Sequence, residues 1–241
     1  MAGTAAQVWW ARRSDAAPGL VALLDDIEQQ RWQTYRREED RQRFLVGCSL
    51  TKAAVASLQG GRPQDVILDR TCSQCRKPHG KPSVKGGELE LSISHSGDRV
   101  AVAVTAGMPV GVDVEQTDKP ARNPGGTDPD ALARYVLAEQ ELAALAGSSP
   151  DAFFVAWTRK EAVTKATGDG LRVSFKEVIV SAATQPPRLI AWPYPEPPES
   201  VSMFDLDPGA GYVAALAVIG SCDTVVTQDG TALLEAAAVP S

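Results

Sequence analysis

Two short stretches carry carboxylates at spacings that could serve a reaction. In Gly111-Val112-Asp113-Val114-Glu115 the acids stand two residues apart, so on a strand both project from one face. Two acids among valines on a largely apolar strand are costly unless water or a cation receives them. Hard divalent ions such as Mg2+ take carboxylate oxygens and leave other positions to substrate phosphates; an edge strand with a solvated outer face satisfies the same pattern. The second stretch is Trp157-Thr158-Arg159-Lys160-Glu161-Ala162-Val163-Thr164-Lys165. Trp157, Glu161 and Lys165 share one helix face, and the plainer reading is a Trp anchor beneath a Glu–Lys surface pair. Gly168-Asp169-Gly170 then ends the helix in a tight turn suited to the close approach of a ligand. Together the two stretches supply three carboxylates and a lysine, the makings of metal–phosphate chemistry.

Two further stretches hold the chain's only two histidines. In Ser92-Ile93-Ser94-His95-Ser96 the ring at a strand end could meet an anion or simply satisfy the turn. Cys72-x-x-Cys75-x-x-x-His79-Gly80-Lys81-Pro82 offers three soft ligands where a closed zinc site needs four. Cys48 and Cys222 are distant in sequence, so a small loop with reduced thiols is expected.

The elements that must position these residues follow from periodicity. Residues 20–58 read as helical, with Leu20, Leu23, Leu24 and Ile27 in one stripe and Phe44, Cys48, Thr51, Val55 and Leu58 in another. Gly60-Gly61 and Pro63 stop them. Between the stripes, Arg31, Arg36, Arg37, Arg41 and Arg43 face Glu38, Glu39 and Asp40, either a solvated face laced with ion pairs or an anion-facing surface. Leu89 to Ser94, Val100 to Val104 and Val110 to Glu115 alternate as three strands of a meander. Residues 116–128 are a Pro/Gly/Asp-rich loop, Asp128-Pro129 opens a helix, and Ser149-Pro150 opens another that runs to Thr167. Val173 to Val180, Leu189 to Trp192, Val201 to Leu206 and Tyr212 to Ile219 alternate again.

Helices then strands are thus run twice, and DRVAVAVTAG (98–107) resembles AGYVAALAVIG (210–220) in pattern. The expected fold is α+β, with two similar pseudo-twofold-related lobes, each a small antiparallel sheet packed with helices. Residues 1–110 form the N-terminal lobe and 111–241 the C-terminal lobe, with the segment from about Ser221 unassigned to the packed body.

Composition excludes several classes. The chain has 241 residues, 44% hydrophobic and 22% charged, an ordinary globular mix. A net charge of −6 argues against nucleic-acid binding. The start, MAGTAAQVWWARR, lacks the pattern of a signal peptide, and no apolar run reaches membrane-spanning length. A cytoplasmic protein with no membrane partner is expected.

GVDVE and WTRKEAVTKATGDGL, with SISHS and HGKP upstream, are similar to the motifs of 4′-phosphopantetheinyl transferases. The length resembles the large monomeric, surfactin-synthetase-activating type rather than the half-length trimeric type. The resemblance covers about residues 20 to 220. It implies transfer of 4′-phosphopantetheine from coenzyme A to a serine of apo acyl or peptidyl carrier proteins, in polyketide, nonribosomal peptide or fatty-acid synthesis. The products are the holo carrier and 3′,5′-ADP. Asp113, Glu115 and Glu161 would hold Mg2+ (Mn2+ being the alternative), Glu161 would take the serine proton, and Lys165 would stabilise the growing phosphate charge. Lys160 would also touch phosphate, while Trp157 packs. Coenzyme A would meet Ser94 and His95 at its 3′-phosphate, Gly80, Lys81 and Pro82 near adenine, and Arg31 and Arg43 nearby. Glu28 and Phe44 stand where some relatives carry lysine and threonine. Arg122 and Arg134 would contact the acidic carrier. A silent coenzyme-A- or carrier-binding module and a metal-dependent phosphohydrolase are the alternatives. Intact Asp113, Glu115, Glu161 and Lys165 speak against the first, and the SHS and HGKP segments against the second.

Overall fold

The computed structural model describes residues 4–72, 75–78, 80–117, 129–195, 197–198 and 200–238. Alternating apolar residues form β1 (Ala5–Arg12), followed by α1 (Asp26–Thr34) and α2 (Glu38–Gln59). Asp25 and Glu28 open α1 with a reciprocal capping box, each carboxylate accepting from the other's amide at 2.8 and 3.0 Å. α2 ends at Gly60, whose φ of 73° is the left-handed conformation a helix stop favours. The single helical run expected over 20–58 is therefore divided, because Tyr35 and Arg37 are extended. Ile27, expected in the apolar stripe, is 60% exposed. The residue α1 buries is Glu28, which pairs with buried Lys52 of α2 at 2.7 Å.

β2 (Leu68–Asp69), β3 (Ser83–Val84), β4 (Leu89–Ser96) and β5 (Arg99–Ala106) complete the first half. The second contains β6 (Val110–Gln116), α3 (Pro129–Val136), α4 (Glu139–Leu145) and α5 (Ala152–Thr167). β7 (Ile179–Val180), β8 (Leu189–Ala191), β9 (Val201–Leu206), β10 (Tyr212–Ile219), β11 (Thr224–Asp229) and α6 (Thr231–Ala237) follow. One sheet has the order β11-β1-β5-β4-β3-β2, another β6-β10-β9, and β7 pairs with β8. All pairings between these strands are antiparallel except β1 with β11.

The architecture is α+β with two lobes. Each has a long strand at the centre of its sheet, β5 in one and β10 in the other, and these are the segments whose patterns resemble each other. In the first unit α2 buries Val46, Leu50 and Val55 with Leu91, Val100 and Val102 of the sheet. In the second, Ala162, Val163 and Ala166 of α5 pack with Ala215 and Ala217 of β10.

Three expectations are corrected. β6 does not continue the β4–β5 meander; it pairs with β10, since alternation specifies which face is apolar but not which strand lies alongside. Val173 to Val178 is not a strand, because the Ser174 carbonyl accepts from the amides of Glu177 and Val178 and closes a turn. The two compact units divide at Met108/Pro109, and residues 224–238 belong with the first unit rather than the second. β11 extends the first sheet along β1, and Leu234 of α6 is buried in the first core. The expected cap Asp128 and the loop from 118 lie outside the described residues. No helix among the described residues is long and apolar enough to cross a membrane.

Candidate active site

Gly111, Asp113 and Glu115 occupy alternate positions of β6 and so share a face. That face is turned to α5: a Cβ on Gly111 would lie 1.9 Å from the Ala162 carbonyl oxygen and 2.5 Å from the Ala166 amide nitrogen. Only glycine lets the helix lie this close to the strand. Beyond that contact, Lys165 Nζ donates to Asp113 Oδ1 at 2.6 Å and to the Val112 carbonyl at 3.2 Å. Glu161 precedes Lys165 by one helical turn on the same face. The helix ends at Gly168, φ 79°, directly after these residues.

The four side chains feel one another's charge. Burial pushes the Glu161 carboxyl above the usual glutamate range; Lys165 pulls it back and Asp113 adds to the rise. For Lys165 burial works against the ammonium, but Asp113, Glu161 and Glu115 together outweigh it and hold the lysine charged. Asp113 is buried while Lys165 keeps partial exposure. The result is a half-buried group of three carboxylates around one ammonium, with an acid whose affinity for a proton is raised.

Among the described residues no three His, Cys, Asp or Glu side chains are drawn together tightly enough to hold a metal as they stand. The donor set nevertheless fits a hard cation in kind. Asp113, Glu115 and Glu161 are all oxygen donors, and burial makes the ionised form of Glu161 costly, a cost that a divalent ion at the carboxylates would offset.

Lys160 is not available to a phosphate. It is fully buried, and its ammonium donates to Glu141 Oε2 at 2.5 Å, the Phe175 carbonyl at 2.7 Å and the Val136 carbonyl at 3.2 Å. An ammonium has three donors, and these contacts use all of them. One residue of helix turns Lys160 away from Glu161, so it ties α5 to α4 and to the segment before β7. Arg159, likewise fully buried, forks onto Asp205 at 2.9 and 2.6 Å and donates to the carbonyls of Ser181, Ala182 and Gln185. Trp157 packs against the rings of Phe153 and Phe175, as expected of an anchor. Gly111, Arg159, Glu141 and Asp205 were not singled out by sequence reasoning; of these only Gly111 carried a signal, an interior strand glycine beside a helix-facing acid.

The remaining expected residues lie in the first unit. Lys81 Nζ meets Glu90 of β4 at 3.0 Å, Gly80 donates to the Arg70 carbonyl at 2.7 Å, and Pro82 leads into β3. Ser94 is buried and His95 exposed, as neighbours on a strand are. Arg31 reaches the Pro78 carbonyl at 3.4 Å and lies over the Phe44 ring. Arg43 donates to the Gly97 carbonyl at 2.8 Å, in the turn after β4, and to Asp40. Two arginines therefore tie the helices to the two segments that carry Gly80-Lys81-Pro82 and Ser94-His95. Glu28 neutralises Lys52, which accounts for an acid at that position. His79 and Arg122 lie outside the described residues.

The sequence matches two family models that meet where the units divide. Residues 8–107 match "4′-phosphopantetheinyl transferase, N-terminal", and residues 109–217 match "4′-phosphopantetheinyl transferase superfamily". The 4′-phosphopantetheinyl transferase HetI of Nostoc sp. is 30% identical over 206 residues, covering 83% of this chain and 81% of the relative. The chain belongs to the 4′-phosphopantetheinyl transferase family. Other relatives include the 4′-phosphopantetheinyl transferase psf-1 of Bacillus pumilus, 29% identical over 70% of this chain and 68% of that protein. The L-aminoadipate-semialdehyde dehydrogenase-phosphopantetheinyl transferase of Schizosaccharomyces pombe is 26% identical over 66% and 64%. The family's reaction moves phosphopantetheine from coenzyme A to carrier proteins, and this chain is a transferase of that kind.

Proposed function

We propose that the chain is a large, monomeric, surfactin-synthetase-activating type of phosphopantetheinyl transferase, cytoplasmic and without nucleic-acid or membrane partners. Its acceptors are serine hydroxyls of apo acyl and peptidyl carrier proteins. The observation that carries the catalytic assignment is the Lys165–Asp113 contact at 2.6 Å beside a Glu161 held above the ordinary carboxylate range.

Asp113, Glu115 and Glu161 would hold Mg2+. The ion, when bound, would neutralise charge on the coenzyme A pyrophosphate. Glu161 takes the proton of the carrier serine; a raised proton affinity brings a carboxylate closer to the working pH of a general base. The serine oxygen forms its bond to the phosphorus bearing the pantetheine arm, the bond from that phosphorus to 3′,5′-ADP breaks, and Lys165 stabilises the charge that develops on the phosphate oxygens. Lys165 suits this task because three acids keep it ionised. Gly80, Lys81, Pro82, Ser94, His95, Arg31 and Arg43 contact coenzyme A. Arg134, exposed on α3 beside Tyr135, which is 79% exposed, faces the acidic carrier.

The test is intact-protein mass spectrometry of an apo carrier incubated with the chain, coenzyme A and Mg2+, with an EDTA control. A phosphopantetheine-sized gain that disappears with EDTA is expected. No gain on carriers from several pathways, with coenzyme A still bound, would identify a silent binding module instead.

A further inference from the structure

Asp113 of β6 and Asp205 of β9 stand in one row of the sheet β6-β10-β9. Asp113 lies opposite Ala215 of β10, and Ala215 lies opposite Asp205. Paired residues on neighbouring strands share a face, so both carboxylates rise on the side that α5 covers. Lys165 of α5 takes Asp113 at 2.6 Å, and Arg159, earlier on the same helix, takes Asp205 with two bonds of 2.9 and 2.6 Å. We propose that Arg159 is a positioning residue for the transfer reaction. Through Asp205 it fixes the roll of α5 over the sheet, and with it the place of Glu161 and Lys165 beside Asp113 and Glu115. This role rests on the catalytic assignment of Glu161 and Lys165 proposed above.

The helical period shows how the two pairs work together. Arg159 and Lys165 leave α5 about 120° apart, and Ala162 lies midway between them. Ala162 is the residue whose carbonyl faces Gly111 of β6, and it packs in one core with Ala215 of β10. The helix therefore rests on the sheet through small residues, and its two cations reach from that contact toward the outer strands, one to β6 and the other to β9. Small residues offer few ridges to lock into grooves, so they do little to stop a helix rolling about its axis. Two ion pairs on opposite flanks oppose rolling in either direction.

Arg159 is placed to hold the helix rather than to meet a substrate. It is fully buried, and all its N–H donors are taken. Nε and one Nη2 hydrogen go to Asp205, the other Nη2 hydrogen to the Gln185 carbonyl at 3.0 Å, and Nη1 to the carbonyls of Ser181 and Ala182 at 2.8 and 2.9 Å. The acceptors are themselves fixed: the Ser181 hydroxyl accepts from the Arg188 amide at 3.0 Å and donates to the Pro186 carbonyl at 2.8 Å. A planar guanidinium bonded at every donor defines both the distance and the rotation of the helix that carries it.

Glu161 leaves α5 about 200° from Arg159, on nearly the opposite side, so the arginine acts on it through the helix and not by contact. The lever is short and stiff. A carboxylate about 6 Å from the helix axis moves about 1 Å for a roll of about 10°. Misplacement of that size at a reacting centre lowers the rate by about 10².

Steady-state transfer to an apo carrier protein, with coenzyme A and Mg2+, is measured for full-length variants below their melting temperatures. Asp205→Asn weakens the fork at a side chain that is 45% exposed, and kcat falls about tenfold while KM for coenzyme A stays within about twofold. Asp205→Leu leaves a buried guanidinium without its carboxylate and lowers the melting temperature. Arg159→Met/Asp205→Leu removes that charge and recovers stability, yet its kcat remains about 10² below wild type. A merely structural arginine would instead return kcat together with the melting temperature, and that result overturns the proposal. So does wild-type kcat in Asp205→Asn, which decides the matter if the leucine variants do not fold. Glu161→Gln in the same assay reports the catalytic assignment separately: wild-type turnover there refutes that assignment and the role of Arg159 with it.

Discussion

Lys165 of α5 is joined to Asp113 of β6 by a 2.6 Å hydrogen-bonded ion pair. The pair joins the two motifs that the sequence keeps apart and sets the protonation of Glu161 between them, since the lysine charge opposes the rise that burial imposes on that carboxyl. Replacing Lys165 with Met therefore has two consequences. Transfer falls by about 10²–10³, as when one preorganised donor to a developing oxyanion is lost. The rise of residual kcat/KM with pH also moves to higher pH, because Glu161 loses the neighbour that lowered its pKa. A residual profile unmoved, or moved to lower pH, would contradict the coupling.

Glu161→Gln abolishes transfer while leaving the fold intact. Its stability effect has a defined sign. The folded protein binds the Glu161 proton more tightly than the unfolded chain, whose carboxyl sits near 4.5. Wild-type stability from this group therefore declines as pH rises from that value through the folded pKa. Glutamine cannot ionise, so in EDTA buffer the variant gains melting temperature relative to wild type as pH is raised through that window. A difference that shrinks over the same range would show that the carboxylate is stabilised there.

Much of this site was legible because its signals are local. The i, i+2 spacing of Asp113 and Glu115 and the i, i+4 spacing of Glu161 and Lys165 fix which faces they occupy, and Gly168 marks the helix end. What was not legible is pairwise and long-range. Lys160 reads like any cation beside a catalytic acid; only Glu141, nineteen positions away, and the Phe175 carbonyl reveal that its charge is consumed inside. Val226 and Leu234 carry too weak a pattern to declare a strand and helix of the first unit, since β11 needs β1, at the other end of the chain, as its partner. Ile27 fitted the helical period, but Glu28 takes the buried position because Lys52 receives it.

Lys160→Met tests the reassignment of that lysine. Leaving Glu141 buried without its cation costs about 3–5 kcal/mol. Glu141 would still accept from the amides of Ala138 and Val180. Lys160→Met/Glu141→Leu recovers much of the loss, since apolar replacement of a buried pair is often near neutral. Thermal melts of both variants, with KM for coenzyme A measured below their transitions, decide the matter. A raised KM in a variant of wild-type melting temperature would return Lys160 to the substrate.

Gly111→Ala tests whether close approach of α5 to β6 is what aligns the acids with the lysine. The new methyl group meets backbone atoms, the Ala162 carbonyl at 1.9 Å and the Ala166 amide at 2.5 Å, which cannot swing aside as a side chain tip could. The helix must retreat, at a stability cost of about 1–3 kcal/mol for overpacking. Activity falls further than stability, by about 10²-fold, because Glu161 and Lys165 ride on the displaced helix while Asp113 and Glu115 stay on the strand. Gly61→Ala, where an added Cβ meets nothing within 4 Å, is the matched control and leaves transfer unchanged. Wild-type turnover in Gly111→Ala would mean that the strand–helix spacing does not set the geometry of the four charged groups.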